Sequence, residues 1–268
     1  MDPEEYKQSV DETIAGEPID RFALAEAAPI ARPQAPPSSP GRPSPAPALS
    51  TQHLPSAPQS LPPSNDESVK SAVELAAASN SLEELRAAVE TFDGCGLKKT
   101  ATNLVFVDGN PDARVLFIGE GPGAEEDRQG VPFVGPSGQL LDKMLSSIGL
   151  RRGDVLISNT VFWRPPGNRT PTPTEIAICL PFIERQIELI EPDILVMVGG
   201  ISAKTLLGRS EGIMRMRGNW FDYASPGLPS PVQGRAIFHP DYLLGSPAHK
   251  REAWIDLLEI KARLKSFS

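Results

Sequence analysis

The sequence predicts an α/β fold: a three-layer αβα sandwich around a central, mainly parallel sheet of four strands. Four short runs rich in Val, Ile and Leu, at 114–119, 154–159, 193–199 and 235–239, have the continuous apolar character of strands buried on both faces. Between them lie segments whose apolar residues recur at helical spacing. Strand and helix alternate over about 150 residues, a pattern that calls for a parallel sheet covered by helices on both sides.

Taken in order, residues 1–28 carry a short amphipathic pattern at Tyr6, Val10, Ile14 and Phe22, expected to be partly helical, without the basic start and apolar core of a signal peptide. Twelve of the 29 prolines fall between Pro29 and Pro63, so 29–66 reads as a disordered tether that buries too little apolar surface to fold. Val69, Val73, Leu75, Leu82, Leu85 and Val89 predict a helix or helical pair over 67–94, leading into a domain at 95–268. After the first strand, Leu140, Leu141, Met144, Leu145 and Ile148 mark a helix ending ahead of Gly149. The next helix opens with a capping box at Thr172, Pro173 and Glu175, and Pro181 is expected to kink it. The last helix, bearing Trp254, Leu257, Leu258 and Leu264, is expected to start with Ser246 as its cap and Pro247 behind it.

The net charge of −8 is unevenly divided: residues 1–100 hold 8 basic and 15 acidic residues, residues 101–268 hold 18 and 19. The nearly neutral second part can therefore present a basic face to phosphates, for which Arg164, Arg169, Arg215, Arg217, Lys250 and Arg251 are candidates. No apolar run is long enough to span a membrane, and two cysteines suit a reducing compartment, so a soluble cytoplasmic protein is expected.

Sites in such sheets gather at the carboxyl ends of strands, where three segments carry chemistry. The first, Gly119–Asp127, is a glycine-rich turn. Gly119, Gly121 and Ala124 satisfy a loose dinucleotide pattern, but Glu120, Glu125, Glu126 and Asp127 crowd the place of a pyrophosphate. Carboxylates there suit positioning water, excluding an unwanted base or meeting positive charge; Glu125 and Asp127 also read as caps of the next helix. The second segment starts at Asn159, whose amide offers both a donor and an acceptor to a flat ligand edge, or simply closes a turn. It continues into the cationic loop Arg164-Pro165-Pro166-Gly167-Asn168-Arg169, suited to a phosphate backbone. The third, Phe238–Leu244, puts His239 at the end of the last strand.

Together, Gly119–Asp127, Arg-Gln-Gly-Val-Pro-Phe-Val-Gly at 128–135, Asn159, Arg-Pro-Pro-Gly-Asn-Arg-Thr-Pro-Thr at 164–172 and His239–Leu244 closely resemble family 4 uracil-DNA glycosylases. The resemblance spans about residues 95–262. It implies a uracil-DNA glycosylase-like fold and hydrolysis of the glycosidic bond of a base flipped out of DNA, leaving an abasic site. It further implies that Phe133 stacks on uracil, Asn159 bonds its pyrimidine edge, and Glu126 obstructs the methyl group of thymine. His239 then donates to uracil O2, and Glu120 orients or deprotonates water. Gly121 lets the backbone approach the base, Leu243 or Leu244 fills the gap in the stack, and Arg164 and Arg169 hold phosphates.

One departure is clear. Members of family 4 usually hold a four-iron cluster on four cysteines, whereas here Cys95 and Cys179 align with two ligand positions and Phe92 and Trp163 with the others. Two thiolates do not satisfy such a cluster, so it is expected to be absent, with apolar side chains filling its volume and no cofactor required. The expected partner is uracil-containing DNA, bound by a monomer, with the N-terminal stretch free to engage a repair protein. The competing readings are a non-catalytic DNA-binding or polymerase-associated module of the same fold, and a dinucleotide-binding enzyme.

Overall fold

The computed structural model describes residues 64–267. The amphipathic stretch at 1–28 and the proline-rich tether as far as residue 63 lie outside the described residues.

Helix α1 (Asn65–Ala78) begins inside the segment expected to be tether, because Ser64 and Glu67 form a capping box that proline content obscures. Helix α2 (Leu82–Thr91) follows after a Ser81 cap. Next come β1 (Asp108–Gly109), β2 (Val115–Gly119), α3 (Ala124–Gln129), α4 (Pro136–Ser147) and β3 (Leu156–Asn159). The chain continues through α5 (Pro173–Ile190), β4 (Ile194–Val198), α6 (Gly200–Leu207), α7 (Ile213–Met216), β5 (Trp220–Tyr223) and β6 (Val232–Ile237), and ends with α8 (Pro240–Gly245) and α9 (Lys250–Ser266).

The sheet has six strands in the order β1-β3-β2-β4-β6-β5. The four expected strands form its core, every neighbouring pair parallel. Two antiparallel edge strands, β1 and β5, enlarge the expected four-stranded sheet. Strand alternation divides the core cleanly. Leu116, Ile118, Leu195 and Met197 join α1, α2, α5 and α6 on one face, while Val115, Phe117, Val196 and Val198 join α4, α8 and α9 on the other.

Helix α5 has its Thr172 capping box and continues past Pro181 to Ile190, but one helix expectation needs correction. Ser246 makes no side-chain cap for the last helix: Pro247–His249 is a separate 3-10 turn and α9 starts at Lys250. Helix α9 is instead tied down through fully buried Asp256, which accepts from Arg217 Nε at 2.8 Å and Arg235 Nη2 at 2.9 Å. Arg217, counted above among phosphate-facing residues, is thereby an internal ion-pair partner.

Candidate active site

The carboxyl ends of β2, β3 and β6 meet around a cavity of about 240 Å³, lined among others by Glu120, Gly121, Glu126, Phe133, Asn159 and His239. The fold therefore brings all six of these predicted residues together. Convergence depends on Gly119 at the end of β2. A Cβ there would lie 2.5 Å from Asn159 Oδ1 and 2.5 Å from Phe133 Cζ, too close for any side chain. Gly121 plays a smaller version of this part, a Cβ there lying 2.8 Å from Val161 Cγ2.

Asn159 closes β3 and is 1% exposed. Its Nδ2 is sealed from solvent with no hydrogen-bond partner, a state that typically costs about 1–3 kcal/mol. Phe133, also buried, has φ of 54°, a left-handed backbone that costs a bulky residue on the order of 1–3 kcal/mol. Its ring centroid lies 5.6 Å from that of His239, with the planes tilted by 31°.

His239 lies two residues past the end of β6 and is the N-cap of α8: its Nδ1 accepts from Asp241 N at 3.1 Å. An acceptor carries no proton, so the proton of the neutral ring sits on Nε2 as a donor. Burial holds the imidazole below its usual pKa, against the opposing pull of Glu120, Asp241 and Glu126. Glu120 has one oxygen anchored, Oε1 accepting from Ile201 N at 3.2 Å in the first turn of α6.

The carboxylates of α3 separate by role. Glu126 is nearly buried and accepts from three amides, Gly123 N at 3.1 Å, Val134 N at 3.0 Å and Gly135 N at 2.8 Å. The amide donor at the start of α3 is thus taken by the protein's own carboxylate, which argues against a pyrophosphate there. Glu125 pairs with Arg128 on the surface. Asp127 accepts from Thr102 N and Asn103 N, tying α3 to the loop before β1 rather than capping a helix.

The DNA-facing candidates fare unequally. Arg169 reaches the cavity rim, but its guanidinium grips Glu175 with two bonds of 2.6 and 2.8 Å. Arg164 bonds Asn168 Oδ1 at 2.6 Å in the same loop and does not line the cavity. Of the two leucines, Leu243 is 1% exposed and packs in the core, whereas Leu244 is 43% exposed. Sequence reasoning missed Asp241, which lines the cavity and accepts from Ser137 Oγ at 3.2 Å. Its position two residues beyond His239, where an amide meets the ring, was the available signal. It also missed Arg152, whose fork binds the backbone around Phe133.

Away from the cavity, Cys95, Cys179, Phe92 and Trp163 are all buried in one apolar cluster. The two thiols are free and buried. The Phe92 ring packs edge-on against Phe182 at 5.2 Å, and Trp163 against Phe162 at 6.0 Å. Two thiols flanked by two packed aromatic rings do not fit a four-thiolate iron-sulfur cluster, and no group of three or more potential metal ligands occurs among the described residues.

Comparison with known proteins bears on the family. A model of the uracil DNA glycosylase superfamily matches residues 106–258, more than half of the chain. Among similar proteins are type-4 uracil-DNA glycosylases of Thermotoga maritima, 42% identical over 67% of this chain and 90% of the relative, and of Archaeoglobus fulgidus, 39% identical over 67% and 92%. Another, from Pyrobaculum aerophilum, is 39% identical over 66% of this chain and 91% of its own length. The chain belongs to the uracil DNA glycosylase superfamily, in its type-4 group.

Proposed function

We propose that this protein hydrolyses the N-glycosidic bond of uracil in DNA, acting as a monomer and leaving an abasic site. The observation that carries the reading is the pairing, on one cavity, of an amide donor without a partner at Asn159 with a histidine whose free proton is on Nε2. A uracil edge satisfies the amide: Nδ2 donates to O4 and Oδ1 accepts from N3–H. His239 Nε2–H then donates to O2, where negative charge grows as the bond breaks, and Phe133 stacks on the ring.

Glu120 takes the role of orienting or deprotonating water and of facing the cationic sugar, with Oε1 anchored by Ile201 N. Glu126, fixed by three amides, forms a wall against a 5-methyl group. Leu244 fills the vacated stack; Arg164 and Arg169 meet phosphates once their present partners release them. Packing of Phe92 and Trp163 stands in for an iron-sulfur cluster, so no cofactor takes part.

The decisive experiment incubates the protein with a uracil-containing oligonucleotide in EDTA and cleaves abasic sites with alkali. Strand scission is expected; its absence overturns the reading. Stoichiometric iron in pure protein, or an absorption band near 400 nm bleached by dithionite, would overturn the cofactor-free proposal.

A further inference from the structure

We propose that Arg152 is a positioning residue that presets Phe133 to receive the base, a role that rests on the uracil-excision reading above. Arg152 lies in the turn before β3, far in sequence from Phe133, and is only a quarter exposed. Its Nη1 donates to Pro132 O at 3.0 Å and its Nη2 donates to Phe133 O. The fork is itself locked: Nη1 meets Asp108 Oδ2 at 2.6 Å and Nε meets Asp142 Oδ1 at 3.1 Å. Strand β1, helix α4 and the Phe133 turn are thus joined through one guanidinium.

That turn needs holding. Phe133 adopts φ of 54°, which a phenylalanine leaves unless its neighbours over-determine it. Its carbonyl lies against Gly138, where a Cβ would collide with it, and the next two amides are taken by Glu126. The carbonyls of Pro132 and Phe133 are therefore fixed by a cation and the amides of Val134 and Gly135 by an anion. A planar fork serves two carbonyls at once; a lysine ammonium is a single point of charge on a flexible stem.

Stacking acts on the bound base before and during bond breaking, so a loosened Phe133 weakens binding more than chemistry. Steady-state kinetics on a uracil oligonucleotide should show Arg152→Gln raising KM at least about tenfold while kcat changes less than about threefold, and Arg152→Lys failing to rescue it. Affinity for DNA carrying a stable abasic-site analogue, which has no base to stack, should be unchanged. In a Phe133→Ala background, Arg152→Gln should add less than about twofold, since the two residues act as one unit.

Equal loss in both backgrounds, or equal weakening of abasic DNA binding, would overturn the proposal and leave Arg152 as ordinary structural support. Should Arg152→Gln fail to melt cooperatively, Arg152→Lys, which keeps the charge, takes its place in both backgrounds: a raised KM that vanishes beside Phe133→Ala supports the proposal, and an equal loss overturns it. A parent protein that releases no uracil defeats the uracil-excision reading, whereas an active parent without the Phe133 coupling defeats this proposal alone.

Discussion

Replacing Asn159 by Asp tests how the cavity selects its base. In the free protein the Nδ2 amide is buried without a partner, so its desolvation is uncompensated until a carbonyl oxygen arrives. Aspartate puts an acceptor where that donor was. Against uracil, one hydrogen bond is lost and two acceptors are forced together out of water, a penalty of about 3 kcal/mol, or about 100-fold in kcat/KM. Against cytosine the sign reverses, because the 4-amino group now meets an acceptor instead of a second donor. The uracil-to-cytosine ratio should therefore fall by at least about 100-fold. Single-turnover excision from matched oligonucleotides bearing one uracil or one cytosine measures it. A ratio that stays within tenfold of the parent's refutes the role of Asn159. The same geometry makes a second demand: Asn159→Leu, which removes the orphan amide at nearly constant shape, should abolish excision while raising stability by about 1 kcal/mol, a few degrees in Tm. A lower Tm would show that the amide has a partner after all.

Three further outcomes are expected. Leu243→Ala should destabilise the fold by about 2–5 kcal/mol in urea melts, whereas Leu244→Ala should leave stability within about 0.5 kcal/mol and weaken duplex binding; equal effects would contradict their 1% and 43% exposures. His239 should titrate below its ordinary 6.5, so the acid limb of kcat/KM should have its midpoint beneath 6.5; an NMR inflection at or above 6.5 would show that the nearby carboxylates outweigh burial. The same shift means that the unfolded chain binds this proton first as pH drops through 6.5, so the histidine's contribution to stability declines on the acid side. Trp163→Ala should cost about 3–5 kcal/mol in thermal or urea unfolding, as expected of a packed indole; a near-neutral effect would mean that the volume is filled by something else.

The core strands were legible because parallel strands covered on both faces read as unbroken apolar runs. The edges were not. Asp108–Gly109 is only two residues long and neither is buried, and of Trp220-Phe221-Asp222-Tyr223 only the last is buried, so neither resembles a buried run. Strand β6 begins at Val232, earlier than expected, because Gln233 and Gly234 interrupt the apolar pattern ahead of Arg235. At the site, Glu120, Asn159 and His239 stood out because each lies at a strand end, whereas Phe133 and Glu126 came from the family resemblance. What stayed hidden was the side chains' present company: Arg169 is engaged with Glu175 and Arg217 with Asp256. Such ties depend on residues distant in sequence or on loop geometry, and neither leaves a local pattern. Arg152 escaped notice for the same reason, its partners lying at 108, 132, 133 and 142.

Because the His239 ring caps α8, the imidazole and Leu244 ride on a single short rod, five residues apart. Neither can be re-aimed without tilting the other. Under the proposed mechanism, entry of the leucine into a duplex and arrival of the histidine at the base are then coupled, and a lesion that resists the first is expected to be cut slowly even if it fits the cavity.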